Sequence, residues 1–196
     1  MDKKEVAEFF NNIADSWDEN TVREQAKIDR ILDAAEVTEE KTVLDVACGT
    51  GILIPDYLKR KVKKCAAVDI SEKMIGIAKE KFGGYGNIEF LCADAENIFS
   101  KEKFDCIVIY NAFPHFVNRY QLFKSLAECL KPDGRITVAH GMSRQALIRH
   151  HSGSAKDIST ILPEAEEMAE IMNPFFDADI RISTDEIYIV SAKKHK

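Results

Sequence analysis

The chain has 196 residues, and its 27 Lys and Arg against 33 Asp and Glu give a formal net charge of −6. That length bounds it to a single domain spanning 1–196, and 45% hydrophobic with 31% charged residues is ordinary globular composition. The acidic balance argues against nucleic acid as a partner, because phosphate backbones call for a basic face.

Residues 3–17 read as an amphipathic helix in which Phe9, Ile13 and Trp17 recur every four positions. This opening stretch is polar and mixed in charge, so it does not read as a secretory signal. A second helix is predicted over 21–35, where Ala26, Ile28, Ile31, Leu32 and Ala35 keep roughly helical spacing. Strands are then predicted at 42–46, 65–68, 88–92, 105–110 and 135–140, with helices at 52–60, 71–81, 119–130 and 143–151. Pro163 and the acidic stretch 164–170 start a further helix, with Pro in its first turn. Two last strand-like runs, 176–182 and 186–190, are joined at 183–185, a link short enough only for a hairpin.

Apolar strands alternating with helix-length segments predict an α/β fold with a mostly parallel sheet covered on both faces and one antiparallel strand near its C-terminal edge. No run approaches the ~20 apolar residues of a membrane span, so no membrane partner is expected. The five cysteines, Cys48, Cys65, Cys92, Cys106 and Cys129, are scattered without a CxxC pair. They read as small buried hydrophobes in a reducing compartment, which places the protein in the cytoplasm, as a monomer or homodimer.

The segment from Val43 to Gly51, VLDVACGTG, ends a strand in a Gly-x-Gly turn that opens a helix. Such a turn lets a ligand approach the backbone closely and presents free N–H groups. Ile54 stands where a dinucleotide fingerprint has a third Gly or Ala, and Pro55 follows, which argues against a nicotinamide-dependent oxidoreductase. Asp69 ends the second strand about twenty residues beyond the turn, the place of a carboxylate that accepts ribose hydroxyls. Asp94 follows the third strand, where a carboxylate can take an adenine amino group. Taken singly, each Asp is as well explained as a loop or cap residue. Three anchors at successive strand ends share the ligand-binding edge of an open sheet.

VLDVACGTG, AVDIS, CADAENI, FDCIVIYNAFPHF and LKPDGRITVAH together resemble the class I S-adenosylmethionine-dependent methyltransferases, in the style of the small-molecule, quinone-biosynthesis branch. The resemblance implies a Rossmann-like three-layer sandwich with a seven-stranded sheet of order 3-2-1-4-5-7-6, the last strand antiparallel. It implies that Asp45, Ala47, Gly49 and Gly51 cradle the methionine part of the cofactor S-adenosylmethionine and that Asp69 holds its ribose. It further implies that Ile70 and Met74 flank the adenine, that Asp94 and Ala95 meet its edge, and that the Asn111 backbone lies near the sulfonium. Phe10 to Asp18 resembles the family's lid motif, with Trp17 beside the cofactor and 1–35 as a helical lid. The substrate-side insert is then 141–163.

Methyl transfer at an activated sulfonium calls chiefly for alignment, with a general base only where the acceptor must lose a proton. His115 and His140 follow the fourth and fifth strands and are the candidate bases or substrate contacts. His140 with His150 or His151, with or without His115, is also a candidate site for a divalent transition metal, which makes metal-assisted transfer an alternative. Adjacent helical residues face apart, so no more than one of His150 and His151 would point inward. The run Asn111-Ala112-Phe113-Pro114 lacks the Pro-Pro-aromatic motif of amino-group methyltransferases acting on adenine or glutamine, and no Pro-Cys nucleophile occurs. The expected activity is therefore transfer of a methyl group to a small-molecule acceptor. A noncatalytic cofactor-binding protein on the same fold is the alternative of another class.

Overall fold

A computed structural model of the chain describes residues 2–98, 103–151 and 158–195. Helix α1 (Lys3–Ile13) begins with a capping box: the Asp2 side chain accepts the Lys4 N–H at 3.1 Å and Glu5 accepts the Asp2 N–H at 2.8 Å. The predicted helix to Trp17 stops early and continues as two 3₁₀ turns, Ala14–Ser16 and Asp18–Asn20. The Ser16 hydroxyl turns back to the Ile13 carbonyl at 3.4 Å, a local bond of the kind that competes with regular helix. Helix α2 (Gln25–Ala34) starts four residues later than predicted, because 21–24 run extended.

The sheet comprises β1 (Thr42–Val46), β2 (Lys64–Asp69), β3 (Ile88–Cys92), β4 (Phe104–Tyr110), β5 (Leu130–His140), β6 (Phe176–Ser183) and β7 (Tyr188–Lys194). Its order is β3-β2-β1-β4-β5-β7-β6. The first five strands pair in parallel, and β7 runs antiparallel to both β5 and β6. The hairpin inferred from the short 183–185 link is β6–β7.

Alternate residues of the central strands face opposite layers, so both faces are apolar. Leu44, Val46, Ile107, Ile109, Ile136 and Val138 pack beneath α5 (Arg119–Cys129) and α7 (Ala165–Met172). Val43, Cys65, Ala67, Cys106 and Val108 pack on the other side with α2, α3 (Ile54–Lys59) and α4 (Glu72–Phe82). Helix α6 (Arg144–His151) follows β5. Four cysteines are buried as expected, and Cys92, on the edge strand β3, is exposed. Among the described residues no helix is long and apolar enough to cross a membrane.

Candidate active site

The C-terminal ends of β1, β2 and β4 meet the lid at a cavity of about 440 Å³. That volume is within the range of small-molecule sites. Its floor is the turn after β1. Ala47, Gly49 and Gly51 there all take the left-handed backbone, with φ of 56°, 55° and 89°. A Cβ at Gly49 would meet nothing nearer than the Trp17 indole nitrogen at 3.8 Å, so the missing side chain leaves open space under the lid. Gly51 serves another purpose. A Cβ there would strike Ile54 at 2.8 Å and Phe82 at 2.9 Å. Gly51 faces the packed layer, whereas Ala47 and Gly49 line the cavity. Ile54, in place of a third glycine, fills the space that Gly51 leaves.

Asp69 joins β2 to this turn. One carboxylate oxygen accepts the Gly49 N–H at 2.9 Å and the other accepts the Ser71 N–H at 2.8 Å. Burial raises its pKa, and the Ser71, Gly49 and Ile70 N–H groups pull against that rise. Asp69 still reaches the cavity wall, so lone pairs there can take ligand hydroxyls. Asp45 lies deeper: it is 2% exposed, and its Oδ2 has no hydrogen-bond partner among the described residues. Burial, with the Asp69 charge adding to it, pushes the Asp45 carboxyl up to about 8, against a smaller pull from Tyr57.

Ile70, Met74, Asp94, Ala95, Asn111 and Trp17 all line the same cavity. Asn111 sits in the left-handed region at φ 54°, and its side-chain oxygen accepts the Gly141 N–H at 2.9 Å, which locks the end of β4 to the end of β5. Asp94 is more heavily engaged than the sequence suggested. It accepts the Glu96 N–H at 2.9 Å, an Asn97 amide hydrogen at 2.6 Å and the Lys3 ammonium at 2.6 Å. Burial alone would raise its pKa; the bonds from Lys3, Glu96 and Asn97 outweigh it and hold the carboxyl below its ordinary value.

The lid closes the opposite wall. Phe10 stands edge-on to Trp17 and to His115, with ring centres 5.7 and 5.0 Å apart. Asp18 accepts the Thr50 hydroxyl at 2.5 Å and pairs with Lys81 at 2.8 Å, pinning the 3₁₀ turns to the glycine turn and to α4. Arg23 pairs with the buried Asp56 of α3.

The two candidate bases part company. His115 lines the cavity, and its Nδ1 lies 2.9 Å from the Ile158 carbonyl oxygen. A carbonyl only accepts, so Nδ1 carries hydrogen and the neutral ring keeps its lone pair on Nε2. His140 is fully buried and does not line the cavity. It packs edge-on to Tyr188, ring centres 6.2 Å apart, its register partner across the β5–β7 pairing. Directly opposed residues project from the same face, and here that face is the one carrying Val190 and Ala192 against α7. The expected metal site therefore loses His140 from the cleft. Among the described residues no group of three His, Cys, Asp or Glu side chains is placed to hold a metal, and the side chains of His150 and His151 lie outside the described residues.

Sequence reasoning passed over Lys3, Glu96 and Tyr110, which also line the cavity. Glu96 stood in the quoted CADAENI run, two residues past Asp94, and was readable there as a second inward carboxylate.

A family model described as "Methyltransferase domain" matches residues 43–134, the span from β1 into β5. This match and the relatives that follow support a class I S-adenosylmethionine-dependent methyltransferase. The chain is 32% identical over 144 residues to the Escherichia coli ubiquinone/menaquinone biosynthesis C-methyltransferase UbiE, covering 68% of this chain and 57% of that protein. It is 29% identical over 182 residues to malonyl-[acyl-carrier protein] O-methyltransferase 1 of Ilyobacter polytropus, covering 90% of this chain and 68% of that one. The matches thus span between half and about two thirds of the curated relatives' own length. In fold, the N-methyltransferase NodS of Bradyrhizobium japonicum in complex with S-adenosyl-L-homocysteine superposes with a TM-score of 0.75 at 14% identity over the whole of both chains. The sheet order predicted from the family resemblance is the one found here.

The residues present fit the cofactor of this methyltransferase family. The Gly49 turn leaves room that a Cβ would take, Asp69 offers an anchored carboxylate to the cavity, and Asp45 carries beneath them a buried oxygen with no hydrogen-bond partner among the described residues.

Proposed function

We propose that the chain transfers the methyl group of S-adenosylmethionine to a compact, partly apolar small-molecule acceptor. The observation that carries this reading is one cavity lined at once by the glycine turn, Asp69, Asp94, Trp17 and His115. When bound, the cofactor supplies an electrophilic methyl on a sulfonium.

In this reading Asp69 accepts the ribose hydroxyls, Ile70 and Met74 sandwich the base, Asp94 and Ala95 meet its edge, and Asp45, Ala47 and Gly49 hold the amino-acid end. Gly51 supports the turn from behind. Trp17 and Phe10 exclude water, which strengthens electrostatic interactions and limits side reactions. His115, with Nδ1–H fixed on Ile158, takes the acceptor's proton at Nε2 where the acceptor is an O–H or S–H. At a nitrogen or carbon acceptor the same Nε2 would take the proton that the methyl group replaces. Phe116, Met142 and Leu147 supply apolar wall from the loop after β4 and from the 141–163 insert.

Titration calorimetry with S-adenosylmethionine and S-adenosylhomocysteine, followed by a labelled-methyl acceptor panel of quinols, phenols, thiols and small acids, tests the reading. Micromolar binding of both with labelled product supports it. Binding of neither removes it, and binding with no product across the panel favours the noncatalytic alternative.

A further inference from the structure

Lys3 stands at the free end of the lid helix, and its ammonium bridges two carboxylates of one short turn: Asp94 Oδ2 at 2.6 Å and Glu96 Oε2 at 2.7 Å. Glu96 is 2% exposed, and its other oxygen accepts the Asn118 N–H at 2.8 Å, at the N-cap of α5. All three charged groups line the cavity at the end where Asp94 and Ala95 lie. The far end of the lid is anchored differently, through Asp18 to Thr50 and Lys81 and through Arg23 to Asp56. Midway, Asn11 accepts the Ser71 hydroxyl at 2.7 Å and the Lys73 N–H at 3.1 Å, resting α1 on the N-terminus of α4.

The lid is thus tied to the core through Asp18 and Arg23 at one end, through Asn11 and the buried Val6 along α1, and through the Lys3 ammonium at the start of that helix. Closing it without that ammonium would leave two neighbouring carboxylates facing a cavity with no cation between them. A buried charge without its partner is strongly unfavourable, whereas opening the lid lets water solvate both. The charge on Lys3 therefore sets the balance between closed and open lid to a greater degree than a surface ion pair would.

We propose that Lys3 is a charge latch that holds α1 shut over the nucleoside end of the cavity and sets the rate at which cofactor and product exchange. The proposal rests on the cofactor reading above for what passes the latch, while the latch itself is a property of the ligand-free chain. It makes exchange salt-dependent, because ions screen the half-exposed ammonium from its partners.

Trp17 is the only tryptophan and lines the cavity, so its fluorescence reports both lid and ligand. Stopped-flow release of S-adenosylhomocysteine is measured for the parent chain, Lys3→Met and Lys3→Arg, at low and high salt. The capping box of α1 uses Asp2 and Glu5 and is untouched by either change. Release is expected to quicken about five- to tenfold in Lys3→Met, with its salt dependence lost, and to stay near the parent rate in Lys3→Arg. Release rates within twofold of each other in all three proteins overturn the latch. If S-adenosylhomocysteine changes nothing and gives no heat in any of them, the cofactor reading falls instead. The latch is then decided by acrylamide quenching of Trp17 in the ligand-free proteins. Greater quenching in Lys3→Met alone sustains it, and equal quenching in all three overturns it.

Discussion

The carboxylate of Asp69 accepts the N–H of Gly49 at 2.9 Å, and that one bond ties the end of β2 to the turn after β1. The same group holds the Ser71 N–H that begins the approach to α4. Asp69 therefore shapes the floor of the cavity as well as facing it. Removing it should act twice, by loosening the turn and by deleting the acceptor proposed for the ribose. Hydrogen bonds to a charged group contribute about 1.5–3 kcal/mol each. Asp69→Ala is expected to weaken S-adenosylhomocysteine binding by about a hundredfold or more, and Asp69→Asn by less, because the amide oxygen can still accept Gly49 N–H. Calorimetry of the two variants checks this. Equal losses in both would mean that the charge, and not the turn, carries the whole effect.

Gly49 and Gly51 should fail in different ways, although the sequence presents them as one motif. At Gly51 a Cβ meets Ile54 and Phe82 below 3.0 Å, at a φ of 89° that disfavours any side chain. Gly51→Ala should cost about 1–3 kcal/mol of stability through strain and overpacking. At Gly49 the added carbon has space, and it projects under Trp17. Gly49→Ala should lower stability by about 1 kcal/mol, from the left-handed backbone alone, and lose cofactor affinity out of proportion. Denaturant unfolding set beside calorimetry separates the two. A Gly51→Ala protein as stable as the parent would contradict the packing described.

How far the sequence carried the structure can be read from these residues. Sheet order and hairpin were legible, and nine of the eleven residues expected at the cofactor line one cavity, because strand periodicity and the glycine turn are local signals and the family resemblance supplied the order. Trp17 reached the cavity, but through 3₁₀ turns and not through a continuous helix, with the Ser16 hydroxyl turned back onto the Ile13 carbonyl and Asp18 drawn to Thr50 and Lys81. His140 was misplaced because position at a strand end says nothing about which face the last side chain takes. Its partner Tyr188, across an antiparallel pairing, decides that. Lys3 went unseen because its partners Asp94 and Glu96 lie some ninety residues away.

His115 should matter for turnover and not for cofactor affinity. Its Nδ1 is committed to the Ile158 carbonyl, so any proton from an acceptor goes to Nε2. For an acceptor that must ionise, His115→Gln is expected to lower kcat about 10²- to 10⁴-fold. Its dissociation constant for S-adenosylhomocysteine should stay within about twofold. Steady-state kinetics with an acceptor found in the panel, beside calorimetry, gives both numbers. A kcat near that of the parent assigns the ring to packing against Phe10, where it already sits edge-on at 5.0 Å.

Asp45 makes a prediction about stability that needs no ligand. Its carboxyl, pushed up to about 8 by burial and by the Asp69 charge, keeps its proton in the folded chain through the range where an unfolded chain has released it. The ordinary value is 3.8, so between roughly pH 4 and 8 the folded state binds the extra proton, and stability falls as pH rises. Above about pH 8 both states are ionised and the slope from this group ends. Each pH unit in the window costs at most about 1.4 kcal/mol. Asp45→Asn puts a neutral group of the same shape there, so the variant should gain on the parent progressively from pH 5 to pH 8 and hold a constant lead beyond. Asp105, held at about 2 by its bonds from Thr42 and Lys131 against the upward push of burial, titrates below this window and leaves it undisturbed. Urea unfolding of both proteins at pH 5, 6.5, 8 and 9 measures the gap. Parallel stability curves would show that Asp45 is already ionised in the folded chain at neutral pH, and that a cation or water in the native protein meets its Oδ2.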